Sequence, residues 1–554
     1  MQRNISVPGW AGALAGLTAG GVALGLAQLV AGLFGPQTSP VIAVGDGVVD
    51  LTPAPVKDFA ITTFGENDKT VLVWGVLVLL AVVAAVIGVL ARRRLAYGMA
   101  GLAVFAVVGL VAVVTRPGAS VVDVLPTLAG AAGGMWTLAW LLRRATVPAV
   151  SGAPSGQDRG EVAMRASGEG RDDGERPAVT GAGGEAERPA VMRASGEAQT
   201  FDRRRLLTGA AGGLVVAGVG AVVGSRLAGS RAVDLARVNV ALPAPATPAK
   251  PIPVGADLRI GGLSSFVTPN RDFYRVDTAL VVPQVDPGTW TLRIHGMVDR
   301  PVEITYADLL RMPLTEADVT LTCVSNEVGG RLVGNARWLG VHMSEILRRA
   351  GLHADADMLL STSADGFTCG TPVDVVMDGR EALFAIAMNG EPLPVEHGFP
   401  VRQVVPGLYG YVSATKWVVD VKVTRFDRDE AYWTPRGWAA KAPIKTQSRI
   451  DVPSSGASLK RGRTAIAGVA WAQHKGVAAV EVRVDGGAWR EARLADVPGP
   501  DTWRQWSLDW DATPGSHTLQ VRATDTTGYT QTEQEAPPAP DGATGWHTIT
   551  VSVA

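Results

Sequence analysis

Long apolar runs with almost no charge fill the start of the chain and then stop. Residues 10–34, 71–90, 98–114 and 121–142 each approach the roughly twenty apolar positions that an α-helix needs to cross a bilayer. Asp123 and Pro126 weaken the last run near its start. No amphipathic segment intervenes, so the pattern predicts four membrane-spanning helices rather than buried helices of a soluble core. From about residue 257 the period changes. "WTLRIHGMV" alternates as a strand does, "TYADLLRM" opens with Thr305 and Asp308 at capping-box spacing, and "MSEILRRAG" closes on Gly351. From about Ser448 the alternation is continuous. Val480, Val482 and Val484 share one face, Asp485–Gly486–Gly487 makes a turn, and Leu519, Val521 and Ala523 alternate with polar partners. The expected fold is α+β: N-terminal transmembrane helices, a mixed α/β domain and a C-terminal β-sandwich.

Charge orients the helices, because short loops rich in Lys and Arg stay in the cytoplasm. Arg92, Arg93 and Arg94 separate the second and third runs, and Arg143 and Arg144 follow the fourth. The N-terminus is therefore expected inside and the loop at 36–69 outside. The segment 146–202 repeats "ERPAV" and "MRASGE" and lacks the apolar residues of a core, which predicts a disordered cytoplasmic loop. Arg203, Arg204 and Arg205 then precede a fifth apolar run, 203–229. That run reads either as an ordinary membrane helix with a positive flank or as a twin-arginine export signal, since an arginine pair, one residue and two leucines open it. No small-residue cleavage site stands out, so it is expected to remain as a fifth helix. Residues 230–253, rich in Pro and Ala, follow as a semi-extended linker. Lys and Arg total 51 against 52 Asp and Glu, with no basic stripe, which excludes a nucleic-acid partner.

The chain has two cysteines, Cys323 in "LTCVSNEVGG" and Cys369 in "FTCGTP". By residue type alone Cys323 is a small apolar core residue, and in an exported domain a Cys323–Cys369 disulfide competes with any role as a ligand. No Cys-x-x-Cys-His occurs, and the first histidine, His295, lies beyond the membrane runs, so no haem is expected in this chain.

Four blocks between Phe266 and the C-terminus resemble the sulfite-oxidase-type molybdopterin oxidoreductases: "TPNRDFYRVDTALVVPQVDPGTWTLRIHG", "VTLTCVSNEVGGRLVGNARWLGVHMSEILRRAG", "MNGEPLPVEHGFPVRQVVPGLYGYVSATKWV" and "VAGVAWAQHKGVAAVEVRVDGGAW". The resemblance implies a molybdopterin-binding catalytic domain at 254–445 and an immunoglobulin-like, dimerisation-type sandwich at 446–554. It makes Cys323 the molybdenum ligand, with Asn326 holding the turn. Cofactor contacts carried over are Phe273, Tyr274, Arg275, Asp277, Asp365, His397, Arg402, Ser413, Thr415 and Lys416, with Arg275 close to the metal. The family's arginines after Cys-x-x-Asn are Glu327 and Val328 here, Trp438 stands at a substrate-pocket tyrosine, and Arg436 lies near it. "PDGATGWH" lacks a further family arginine. A less cationic, more aromatic pocket argues against sulfite itself.

The function expected from the resemblance is two-electron oxygen-atom transfer on a small substrate, by an enzyme tethered in the cytoplasmic membrane with its catalytic domains on the extracytoplasmic side. Electrons require a separate partner: a cytochrome, a soluble carrier or the quinone pool. A homodimer is implied by the sandwich. The alternative is a cofactor-free envelope binding or assembly module using that sandwich.

Overall fold

The computed structural model describes residues 7–35, 38–52, 56, 68–116, 120–148, 199–227 and 230–554. Five helices among them are long and apolar enough to cross a membrane: Gly9–Phe34, Val71–Ala91, Leu95–Val114, Val121–Arg144 and Arg203–Gly224. The first is the hub and packs through small residues against Val71–Ala91, Val121–Arg144 and Arg203–Gly224. A Cβ on Gly16 would lie 2.0 Å from the Ala84 carbonyl oxygen, and one on Gly224 would lie 2.2 Å from that of Gln28. Backbones approach this closely only where side chains are absent, which is how apolar helices pack without water to drive them together. Their outer faces leave Leu79, Val104, Val107 and Val215 exposed.

Two stretches expected to be irregular are helical. Pro40–Leu51 forms a helix inside the segment expected as an outer loop. Ser230–Val238 forms another at the start of the expected linker. A helix this short gains little from propensity, so docking stabilises it. Val233 is buried against the catalytic domain, and Arg237 donates to the Leu393 carbonyl at 2.7 Å and pairs with Glu391 at 2.9 Å. The expected disordered loop lies outside the described residues except at its ends, where Thr146–Pro148 pairs antiparallel with Gln199–Phe201.

Residues 254–445 hold two five-stranded sheets packed on one large apolar core, and a second apolar cluster with Phe273, Val319 and Trp338 covers the other face of the first sheet. In the first, Val333–His342 pairs antiparallel with both Thr315–Thr322 and Leu383–Met388. In the other, Val418–Thr424 lies parallel to Thr291–Gly296 and antiparallel to Met358–Ser363. The expected capping box at Thr305 and Asp308 forms and starts the helix Tyr306–Arg311. Gly351, at φ +73°, ends the helix Met343–Ala350. The C-terminal region is a four-stranded sheet facing a five-stranded one, closed over Val480, Val482, Trp506, Leu519 and Val521.

Candidate active site

The hairpin Thr315–Thr322/Val333–His342 is joined by a wide loop, and Cys323 is its first residue. Two bonds close the loop base: the Cys323 N–H donates to the Leu332 carbonyl at 2.9 Å, and the Leu332 N–H donates to Asn326 Oδ1 at 2.8 Å. Asn326 thus holds the turn, while its buried Nδ2 has no hydrogen-bond partner among the described residues. Cys323 is buried, and burial pushes its thiol pKa up. Hydrogen bonds from the Ser325 backbone and side chain, and the Lys416 charge, oppose that rise. Both cysteines are free, so the competing disulfide is not formed. Cys369 donates its S–H to the Tyr411 carbonyl, and burial lifts its pKa to about 11.

Beside Cys323 lies a buried set of cations. Arg402 is 5% exposed and donates only to the backbone carbonyls of His397, Gln403 and Ala414, at 3.1, 3.3 and 3.5 Å. No carboxylate among the described residues pairs with it. Its guanidinium lies 5.0 Å from the centre of the Trp338 ring, and burial lowers its pKa to about 10, so it stays cationic at neutral pH. Lys416 pairs with Asp277 at 2.8 Å and sits over Trp417 at 4.7 Å. Burial lowers its pKa to about 8 even so, with Asp277 working the other way. Arg275 donates to the same Asp277 oxygen at 2.8 Å. One carboxylate therefore serves two cations, and Arg402 adds a third. Gly398, at φ +111°, lets the chain pass close to both cations here, since a Cβ would come within 3.0 Å of Arg402 and 3.1 Å of Lys416.

His397 donates from Nε2 to the Asn270 carbonyl at 3.1 Å, which leaves Nδ1 as an acceptor. Burial and then Arg402 hold its pKa down to about 4. Phe273 stacks on Tyr274 at 5.2 Å and meets His397 edge-on at 5.6 Å. Cys323 and Arg402 both act on the Tyr274 hydroxyl, whose pKa burial raises.

Phe273, Tyr274, Arg275, Asp277, Cys323, His397, Arg402 and Lys416 are thus linked by short contacts or mutual charge. Thr415 lies beneath, its hydroxyl 3.1 Å from that of Ser361, which also donates to Gln403. Ser413 turns away, its hydroxyl donating to the Leu408 and Tyr409 carbonyls. Asp365 sits in the hairpin turn and accepts from the Phe367 N–H. Trp438 belongs to an aromatic group with Tyr411 at 5.8 Å and Trp433 at 6.1 Å, and Arg436 lies over the Tyr432 ring. Trp338, Ser325 and Gln403 were not singled out in the sequence. On a strand, Trp338 carries the pattern of an ordinary core residue, and nothing local marks the other two.

A buried guanidinium without a carboxylate, and the orphaned amides Asn326 Nδ2 and Gln403 Nε2, suit an anionic group rich in acceptors. A soft thiol stands beside them. Molybdopterin, which carries a phosphate, polar ring atoms and a thiophilic metal, fits this set.

The profile of the oxidoreductase molybdopterin binding domain matches residues 279–433, and that of a bacterial Ig domain matches 447–521. Mitochondrial sulfite oxidase of Rattus norvegicus is 32% identical over 293 residues, covering 44% of this chain and 53% of that protein. Oxidoreductase YuiH of Bacillus subtilis is 32% identical over 179 residues, covering 32% of this chain and 87% of that protein. The crystal structure of sulfane dehydrogenase SoxCD from Paracoccus pantotrophus is 28% identical, covers 52% of this chain and 81% of its own, and superposes with a TM-score of 0.46. The chain spans about half the length of the sulfite oxidases it matches. Sequence blocks and the matched domain agree: the chain belongs to the sulfite-oxidase-type molybdopterin oxidoreductases.

Proposed function

We propose that the protein is a membrane-anchored molybdopterin oxidoreductase with its catalytic domain on the extracytoplasmic side, performing two-electron oxygen-atom transfer on a small substrate other than sulfite. The observation that carries this reading is the free, buried Cys323 thiol beside a buried Arg402 that lacks a carboxylate. A bound molybdenum–pterin group would supply the two-electron, proton-coupled chemistry.

The chain's own residues divide the remaining work. Arg402 and Lys416 would hold the anionic end of the cofactor, and neutral His397 offers Nδ1 as an acceptor. Cys323 supplies the thiolate. Burial opposes its ionisation, so metal binding must drive the proton off, with Ser325 and Lys416 lowering that cost. At the mouth Glu327 is exposed where the family has an arginine, and Trp438 and Tyr411 present aromatic surface. A carboxylate there repels sulfite, which disfavours that dianion as substrate.

Membrane placement is supported by the five long apolar helices and by their charge. Arg92–Arg94, Arg143–Arg144 and Arg203–Arg205 lie at one end of the bundle, whereas Leu280 of the catalytic domain meets Gly45, near the opposite end. A twin-arginine signal at Arg203–Arg205 fits a domain that folds around its cofactor before export. The proposed division is a four-helix membrane region at 1–145, a cytoplasmic loop at 146–202, a fifth helix at 203–229, a linker at 230–253, the catalytic domain at 254–445 and the sandwich at 446–554. Electrons would leave through a separate cytochrome, soluble carrier or quinone, and the sandwich offers a homodimer contact.

The test is elemental analysis of detergent-purified protein from a molybdenum-replete host. Near-stoichiometric molybdenum in the parent, and its loss or spectral change in Cys323→Ser with pterin retained, supports the reading. Absence of both metal and pterin overturns it.

A further inference from the structure

The loop that carries Cys323 is held from two sides, and only one belongs to the catalytic domain. From the Ig-like domain, Arg449 donates from Nη1 to the Gly330 carbonyl at 2.7 Å and from Nη2 to Ser264 Oγ at 2.9 Å. Asp451 pins its Nε at 2.6 Å, and both side chains of that pair are 8% exposed. The His547 ring covers Gly329, where φ is +76° and a Cβ would come within 2.2 Å of the ring. His547 is fixed in turn, because its Nδ1 accepts from the Ile450 N–H at 2.9 Å. At the base of the hairpin, Gln473 Nε2 donates to the Thr320 carbonyl and to Thr322 Oγ1, both at 3.0 Å, and the Trp503 N–H donates to Thr320 Oγ1 at 2.7 Å. The residue immediately before Cys323 and the turn that closes its loop are therefore both bonded to the sandwich.

We propose that Arg449 of the Ig-like domain is a positioning residue that sets the Cys323 thiol by fixing the turn at 328–330. The inference rests on Cys323 being the metal ligand. Its physical basis is that loops position groups less rigidly than strands do, so a thiol on a wide loop needs an external clamp. A fixed guanidinium bonded to a carbonyl, a hydroxyl and a carboxylate is such a clamp.

The experiment reads thiol reactivity in metal-free, full-length protein in detergent. Iodoacetamide labelling of Cys323 is measured by peptide mass mapping, with fully buried Cys369 as the internal reference. Arg449→Met removes the clamp, and Gly329→Ala pushes the same turn against the His547 ring while leaving the Arg449–Asp451 pair in place. Arg463→Met, in an exposed pair with Asp509 elsewhere on the sandwich, is the control. The expected result is a rise of at least about tenfold in the Cys323-to-Cys369 labelling ratio in both variants and none in the control. An unchanged ratio in folded Gly329→Ala and folded Arg449→Met overturns the proposal, and if Arg449→Met does not fold, Gly329→Ala decides alone. Failure of the functional reading shows separately, as parent protein that never acquires molybdenum.

Discussion

The floor of the site and its mouth are built under different constraints. On the floor, Arg402, Lys416 and His397 are each buried and each tied to specific carbonyls or to Asp277, so a change of residue leaves an unpaired group in a low dielectric. At the mouth, Glu327 faces water and Trp438 packs within an aromatic group, so replacing an arginine there costs the fold little. In the proposed reading the floor keeps the family's residues while the mouth departs from them, so cofactor class would follow from the first region and substrate choice from the second.

The strongest test of that division is Cys323→Ser. Molybdenum-dependent turnover should fall by about 10² or more, since even residues beyond the ligands typically cost 10–100-fold. Retained turnover would place the chemistry elsewhere. Arg402→Met comes next. Cofactor retention should drop by about 10–100-fold, yet the cofactor-free protein should melt no lower than the parent, because a buried cation without a carboxylate is removed. A lower melting point in the cofactor-free variant would make Arg402 a structural residue.

Two pH measurements sharpen the comparison. Lys416 titrates near 8 in the cofactor-free site, so inorganic sulfate, whose charge is constant over this range, should bind evenly below pH 8 and weaken by up to about tenfold per unit above it. Binding that is level from pH 7 to 10 would remove Lys416 from the anion site. His397 and His547 are each held down to about 4 from 6.5 by burial. Between those values the unfolded chain binds protons that the folded one does not. Stability is therefore complete above about pH 6.5 and is lost as pH falls towards 4. Urea unfolding of cofactor-free protein should show that slope, and His547→Gln should reduce it. The smallest effect belongs to the mouth: Glu327→Arg should improve sulfite binding by about tenfold or less, with cofactor content unchanged.

Local pattern carried much of the architecture. The strand at Thr291–Gly296, the capped helix at Tyr306–Arg311 and the alternation through Val480 and Val482 follow from periods of two and 3.6 that need no knowledge of neighbours. The helix Pro40–Leu51 was missed because its composition passes for a loop between longer apolar runs. Ser230–Val238 was missed because its stability comes from contacts with Glu391 and Leu393, far along the chain.

The candidate site divides the same way. The resemblance placed Cys323, His397, Arg402 and Lys416 together, but Ser413 is committed to backbone carbonyls and Trp338 went unmarked. Residue types and hydrophobic periods were enough to specify the apolar helices, while the resemblance named the thiol and the cations proposed for an anionic cofactor. Only the tertiary structure decided that Arg402 has no carboxylate partner among the described residues, that Asp277 serves both Arg275 and Lys416, and that Arg449 reaches back to Gly330. Those facts depend on pairings between residues distant in the chain, which burial and chain topology select and no local period records.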